Sequence, residues 1–236
     1  MGKTLIVKIG ILQPGYLPWL GFFEQMHVSD VFVLYDDVQY DRQSWRNRNR
    51  IKTAHGVQWL TVPVLFTLKK AQKVYEVKID NKVNWRKKHL SSIKQNYSKA
   101  PYYKKYIGIF EETYSRNWQD LISLDYHLIE ILADCLGIKD KKIVRSSELE
   151  VEGARLERLI EICRMFKATT FYEGASGKNY IDEKAFNKQG IKVQYQAYSH
   201  PEYHQLYGGF VPFLSVIDLL FNHGDESLSI LLNKSL

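Results

Sequence analysis

Five short apolar runs, each breaking off into a polar or glycine-rich cluster, constrain this chain more than any other feature. The first lies within Thr4 to Leu12 and ends at Gln13-Pro14-Gly15. The second, Val31-Phe32-Val33-Leu34-Tyr35, ends at Asp36-Asp37. Ile143-Val144 stops at Ser146-Ser147, Thr169 to Tyr172 stops at Gly174, and Ile191 to Tyr198, which alternates apolar with polar residues, stops at Ser199-His200-Pro201. A short run without polar alternation reads as a strand buried on both faces, as in parallel sheets covered by helices. The intervening segments supply the helices. Leu20 to His27 fits one, and Leu121, Leu124, Leu128, Ile131, Leu132 and Cys135 recur at helical spacing before Gly137. Leu156, Leu159, Ile160, Cys163 and Phe166 mark another, Glu183 to Asn187 a short one ending near Gly190, and the last should open at Pro212 and close at Gly224. This alternation predicts an α/β, Rossmann-like, doubly wound and mainly parallel sheet.

The region between the second and third runs is different. Val57 to Val64 and Val74 to Ile79 suggest strands that pair as a hairpin across Phe66 to Lys73. Residues 83 to 118 are polar, aromatic and lysine-rich, with Pro101 interrupting a helical pattern. We therefore expect a single domain over 1–236 with a smaller basic, helix-rich insertion over 66–118. Residues 69 to 105 hold twelve Lys and Arg against Glu76 and Asp80, a balance of +10 within a chain of net charge +7. Interleaved Trp85, Tyr97, Tyr102, Tyr103 and Tyr106 would suit RNA, with rings on bases and lysines on phosphates, although a solvated helical face has the same composition.

Bulk properties narrow the function. Apolar residues make up 45% of the chain and charged residues 25%, the balance of an ordinary globular protein. No run approaches the roughly 18 apolar residues of a membrane span, and the first residues lack a signal-peptide cleavage site, so a cytoplasmic location is expected. Cys135 and Cys163 sit at apolar helix positions and read as reduced core residues. His200 and His204 have no third metal ligand in view, so no metal site is predicted. No cofactor is called for, and Mg²⁺ participation stays open.

If the five strands are parallel neighbours, their terminal clusters share one rim, where open α/β sheets bind ligands. Gln13 and Tyr16 stand in a turn stiffened by Pro14, Gly15 and Pro18. Asp36 or Asp37 would serve as a general base or bind an ammonium group, with Gln39 and Tyr40 beside them. In Ser44-Trp45-Arg46-Asn47-Arg48-Asn49-Arg50, an extended chain puts Asn47 and Asn49 on one side and the arginines on the other. Asparagine would orient hydroxyl or carbonyl groups, and Arg48 would hold phosphate. Ser176, Gly177, Lys178 and Tyr180 form a small-residue loop suited to phosphate, without the spacing of a P-loop. His200 is the best-placed imidazole base, followed by Tyr203 and Gln205.

Several of these stretches together resemble one family. Gln13-Pro14-x-Tyr16-Leu17-Pro18-Trp19-x-Gly21-Phe22, Asp36-Asp37-Val38-Gln39-Tyr40, Trp45 with Asn47-Arg48-Asn49, and Trp59-Leu60-Thr61-Val62-Pro63 are similar to the WbqC-like protein family. So are Gly174-x-Ser176-Gly177-Lys178-x-Tyr180, His200-Pro201-x-Tyr203-x-Gln205 and Leu214-Ser215-x-x-Asp218. The resemblance implies a place in bacterial O-antigen or other surface-polysaccharide biosynthesis and a glycyl-type or related aminoacyl transferase role, and it carries no catalytic residues. The expectation is acyl or aminoacyl transfer to the amine of a nucleotide-linked amino sugar, with His200, Asp36 or Asp37 as base and an aminoacyl-tRNA held by the basic patch at 69–105. The alternatives are a sugar-nucleotide-modifying enzyme of another reaction class and a non-enzymatic RNA-binding protein.

Overall fold

A computed structural model describes residues 6–42, 44–65 and 71–233. In chain order the first elements are β1 (Lys8–Leu12), α1 (Leu20–Val28), β2 (Val31–Leu34), β3 (Arg48–Thr53), β4 (Gly56–Thr61), β5 (Val64–Leu65) and β6 (Lys78–Ile79). Then come α2 (Trp85–Tyr97), α3 (Tyr103–Ser115), α4 (Leu121–Leu136), β7 (Lys142–Arg145), α5 (Arg155–Met165) and β8 (Thr170–Glu173). Last are α6 (Glu183–Asn187), β9 (Lys192–Tyr195), α7 (Val216–His223) and α8 (Ser227–Leu231). The chain forms two compact units, one of residues 1–13, 23–36 and 140–198, the other of 14–22, 37–139 and 199–236.

The first unit is built on a sheet of five strands in the order β7-β2-β1-β8-β9, every neighbouring pair parallel. Counted along the chain that order is 3-2-1-4-5, the doubly wound arrangement whose direction of growth reverses between the first and fourth strands. Ile9, Ile11, Val33 and Phe171 are buried, and they cluster with Ile162 and Cys163 of α5 and Phe186 of α6. The sheet needs a glycine at position 10, because a Cβ there would lie 2.7 Å from Ser29 Oγ and 3.0 Å from the Phe32 ring. The parallel sheet and the five apolar runs that predict it therefore agree, with Thr4 and Leu5 outside the described residues.

The second unit combines the β3–β4 hairpin with α2, α3, α4 and α7. Its register runs from Arg48 opposite Thr61 to Thr53 opposite Gly56. The Phe221 ring of α7 gathers Tyr97 at 4.9 Å and Phe110 at 5.5 Å, so the long aromatic residues of α2 and α3 form its core. Asn47 and Asn49 are buried, as alternation along an extended segment requires once the arginines face outward. Gly137 closes α4 in the left-handed conformation, φ 76°.

Two expectations change. The 57–64 run pairs with 48–53 rather than with 74–79; only Val64-Leu65 pairs with Lys78-Ile79, and Val74–Glu76 is a 3-10 turn. The helix expected from Pro212 to Gly224 is α7, which is followed by α8 and is opened by Ser215, whose hydroxyl accepts from the Ile217 amide, three residues after Pro212. Residues 66–70, part of the proposed connection and of the basic run, lie outside the described residues. Of the aromatic residues interleaved in that run, Trp85, Tyr97 and Tyr106 are buried and Tyr102 and Tyr103 are half-buried. Lys78, Lys94 and Lys105 pair with Asp120, Glu111 and Asp225. Among the described residues no helix is long and apolar enough to cross a membrane.

Candidate functional site

Because all five strands of the first unit are parallel, their carboxyl ends lie along one edge of the sheet. Gln13 follows β1, Asp36 follows β2, Ser146 and Ser147 follow β7, Glu173 ends β8, and Gln196 follows β9. The order reverses between β1 and β8, so the ends of those two strands bound the crevice where ligands enter such sheets.

Glu173, the last residue of β8 at that reversal, is 5% exposed. One carboxylate oxygen accepts from the Tyr180 hydroxyl at 3.1 Å and from the Gly174 amide at 3.0 Å. Burial pushes its pKa up to about 7, with both hydrogen bonds opposing the rise. The turn after β8 is shaped around this side chain. A Cβ on Gly177 would sit 2.3 Å from Glu173 Cγ, so only glycine lets the 3-10 turn Ala175–Asn179 close over it. Ser176, Lys178 and Tyr180 are exposed along that turn, and the Lys178 ammonium lies 5.7 Å from the Tyr195 ring.

The other side of β8 carries a second carboxylate. Glu24 of α1 accepts from Tyr172 at 3.0 and 3.3 Å and from Gln196 Nε2 at 2.5 Å. Asp36 is fully buried and already engaged. Its oxygens accept from Ser146 Oγ at 3.2 Å and from Arg145 Nε, the Ser147 amide and Ser147 Oγ at 2.8 Å each, which ties β2 to β7.

The remaining candidates belong to the second unit. His200 is held between Trp19, stacked at 6.3 Å, and Phe213 at 5.0 Å. Its Nδ1 faces the Pro201 carbonyl at 2.9 Å and so carries the proton, while Nε2 accepts the Phe213 amide at 3.1 Å. Burial lowers its pKa. Asn47 donates to the Val62 carbonyl at 2.8 Å and Asn49 to the Leu17 carbonyl at 2.6 Å. Gln205 clasps both the amide and the carbonyl of Val211. The Tyr16 hydroxyl is enclosed between His89 Nδ1, at 2.8 Å, and the Tyr114 hydroxyl. Tyr40 and Tyr203 are also buried; Asp37 is half-buried, and Gln39 is exposed and bridges to Lys73. Trp45 and Arg48 face outward, with Trp45 44% exposed.

The residues expected on one rim thus divide between the units: Gln13, Asp36, Ser176, Gly177, Lys178 and Tyr180 in the first, and Tyr16, Asp37, Gln39, Tyr40, Trp45, Asn47, Arg48, Asn49, His200, Tyr203 and Gln205 in the second. The sequence profile of the WbqC-like protein family matches residues 13–230. The chain belongs to that family. A relative from Mycobacterium tuberculosis, named only as an uncharacterized protein, is 37% identical over 222 residues, covering 93% of this chain and 95% of its own. No solved structure matches the chain.

In this WbqC-like protein the sequence pattern passes over Glu173, because the expected strand ends at Tyr172 and the motif begins at Gly174. It also passes over Asp125 of α4, fully buried, with no hydrogen-bond partner for either oxygen among the described residues. Burial raises its pKa well above the carboxylate range, and the Arg46 guanidinium opposes that rise. The buried Asp218 of α7 accepts from the Tyr97 hydroxyl at 2.8 Å, and burial brings its pKa to about 6. Its place in the Leu214-Ser215-x-x-Asp218 stretch was a signal for it. Both cysteines keep protonated thiols, since burial pushes Cys135 to about 11 and Cys163 to about 12.

Proposed function

We propose that this WbqC-like protein is a transferase that moves an acyl or aminoacyl group onto the amine of a nucleotide-linked amino sugar, in the cytoplasmic stage of bacterial surface-polysaccharide synthesis. One observation carries the reading: a carboxylate with a pKa of about 7 stands where the parallel sheet reverses direction. A sugar amine is protonated near neutral pH and must lose a proton to become a nucleophile. A base poised near 7 can both hold and release that proton.

In this mechanism the ammonium first releases one proton to solvent, and Glu173 takes a second from the attacking amine as its nitrogen bonds to the acyl carbonyl carbon of an activated ester. The tetrahedral intermediate then collapses, the carbon–oxygen bond of the donor breaks, and the departing oxygen leaves with a proton returned through Glu173. Tyr180, already donating to Glu173, moves with it and orients the carboxylate. Gln13 orients the acyl carbonyl and Lys178 meets phosphate. This assigns the base role to Glu173 in place of His200 and Asp36, whose acceptor atoms are already occupied. An aminoacyl-tRNA donor remains compatible through the exposed Lys87 and Lys88, which line a hollow of about 520 Å³ with Gln58, Asn84, Ser91 and Ser92.

The test is mass spectrometry of nucleotide-linked amino sugars incubated with the protein and a panel of aminoacyl esters, aminoacyl-tRNAs and acyl thioesters. A product heavier by one acyl group, absent with Glu173→Gln, is the expected result. No mass change with any pair sinks the transferase reading, and it leaves another sugar-nucleotide reaction or RNA binding in its place.

A further inference from the structure

The β3–β4 hairpin presents a surface that its own fold does not require. Trp45 and Trp59 are 44% and 43% exposed, unusual for the largest apolar side chain, and their rings lie 5.1 Å apart at 39°. Two arginines stand over these rings. The Arg48 guanidinium lies 4.6 Å from the Trp59 centroid, and that of Arg50 lies 5.4 Å from Trp45 and 5.7 Å from Trp59. The cause is strand geometry: Arg48 and Arg50 are two residues apart and share a face, and Arg50 is directly opposite Trp59 across the hairpin.

The backbone behind this face is fixed by the first sequence motif. The Tyr16 amide donates to the Arg46 carbonyl at 3.1 Å, and Arg46 Nη1 donates to the Pro14 carbonyl at 3.0 Å. A Cβ on Gly15 would lie 2.9 Å from the Trp45 carbonyl oxygen, so glycine is needed for the turn to approach this closely. Asn49 ties the inner face of β3 to Leu17, and Arg50 Nη2 donates to the Phe213 carbonyl at 3.1 Å. The rings and cations are therefore held in place before any ligand arrives, which lowers the entropy lost on binding.

We infer that the outer face of this hairpin is a docking platform for a nucleoside diphosphate, its base stacking on Trp45 and Trp59 and its phosphates meeting Arg48 and Arg50. This goes beyond the proposed function and rests on the surface of the second unit alone. Flat π surfaces flanked by guanidinium groups complement a ligand that is itself flat at one end and anionic at the other. Two indoles and two cations match one nucleotide in extent. A longer nucleic acid strand would need a continuing cationic track, and the next cation along β3, Lys52, is buried. Gln58, on the opposite face from Trp59, donates to Ser92 of α2 at 3.0 Å, so the lysines of α2 border the other side of the hairpin.

The experiment is calorimetric titration of the full chain with UDP, ADP, GDP and dTDP, with pyrophosphate, uridine and a single-stranded uridine tetranucleotide as comparators. At least one nucleoside diphosphate should bind at least 10-fold tighter than pyrophosphate or uridine. Trp59→Ala and Arg50→Gln should each weaken it 10-fold or more, while Trp59→Phe, which keeps a stacking ring and the fold, stays within about 3-fold of wild type. Three results overturn the inference: no nucleoside diphosphate binds, Trp59→Ala and Arg50→Gln bind as wild type does, or the tetranucleotide binds 10-fold tighter than every nucleoside diphosphate. Glu173→Gln should bind the nucleotide normally. Loss of turnover in that variant thus tests the transferase reading separately from the platform.

Discussion

A carboxyl group sealed inside protein with no donor to meet it costs stability, since it has given up its water and received nothing in exchange. Asp125 has no hydrogen-bond partner among the described residues and only the charge of Arg46 to offset its burial, and the sign of its effect follows from its raised pKa. The folded state holds the proton over a pH range where the unfolded chain has released it, so the penalty grows as pH rises above the unfolded value of about 4. Asp125→Asn should therefore stabilise the protein by about 1–3 kcal/mol at pH 8 and by much less at pH 4.5, as read from urea unfolding at the two pH values. An equal gain at both would mean that ionisation is not the cause. Glu173 calls for the opposite kind of test, because its raised pKa serves chemistry. Glu173→Gln keeps the shape and the Tyr180 contact but cannot take up a proton, and it should lower kcat by about 10²- to 10⁴-fold with little change in substrate affinity. A variant that keeps more than a tenth of wild-type kcat would remove Glu173 from the role of base.

The turn that follows β8 shows how an element sets the behaviour of one residue. Gly177→Ala would place a methyl group 2.3 Å from Glu173 Cγ, so the turn must open and admit water to the carboxylate. Because burial is what raises that pKa, the acid limb of the kcat/KM profile should move to lower pH, and kcat should fall about 10-fold or more as Tyr180 loses its register. An unchanged profile would separate the turn from the pKa. Elements differed in how well the sequence announced them, for physical reasons. The central strands of the parallel sheet were legible because burial on both faces leaves a nearly unbroken apolar run, as in Val31 to Leu34, whereas the edge strands β7 and β9 are only partly buried. β3 was not read as a strand, since its outer face carries arginine and its inner face asparagine, a composition that hydrophobic patterning assigns to a loop. Alternation correctly put Asn47 and Asn49 on one side, but it could not tell that this side is the interior, where their amides serve Val62 and Leu17 rather than a ligand. The strand-end clusters were visible as glycine and polar breaks. Glu173 was hidden because its pKa is a product of burial, and burial is decided by residues distant in sequence.

Across the whole molecule, buried ionisable groups pull the pH dependence of stability in two directions. Glu173 at about 7, Asp218 at about 6 and Asp125 all have folded pKa values above their unfolded ones, so each adds stability as pH falls toward its folded pKa and below it. His89, pushed down to about 4 by burial, acts oppositely: the unfolded chain begins to gain that proton near 6.5 and draws the equilibrium toward unfolding as pH falls further. His127 and His200 are lowered by burial as well and add to the same loss. The windows do not coincide. Between pH 8 and 6.5 the carboxyl groups are taking up protons while most unfolded histidines are still neutral, so stability should increase over that interval, with Glu173 contributing on the order of 1 kcal/mol if the range is extended to pH 6. The urea midpoint should therefore be higher at pH 6.5 than at pH 8, although net positive charge increases in the same direction. Glu173→Gln combined with Asp125→Asn should flatten the rise, leaving the histidine loss below pH 6 in place. A wild-type midpoint that falls steadily from pH 8 to 6.5 would mean that these carboxyl groups are more solvated in the folded protein than their burial implies, and the base assigned to Glu173 would lose its physical ground.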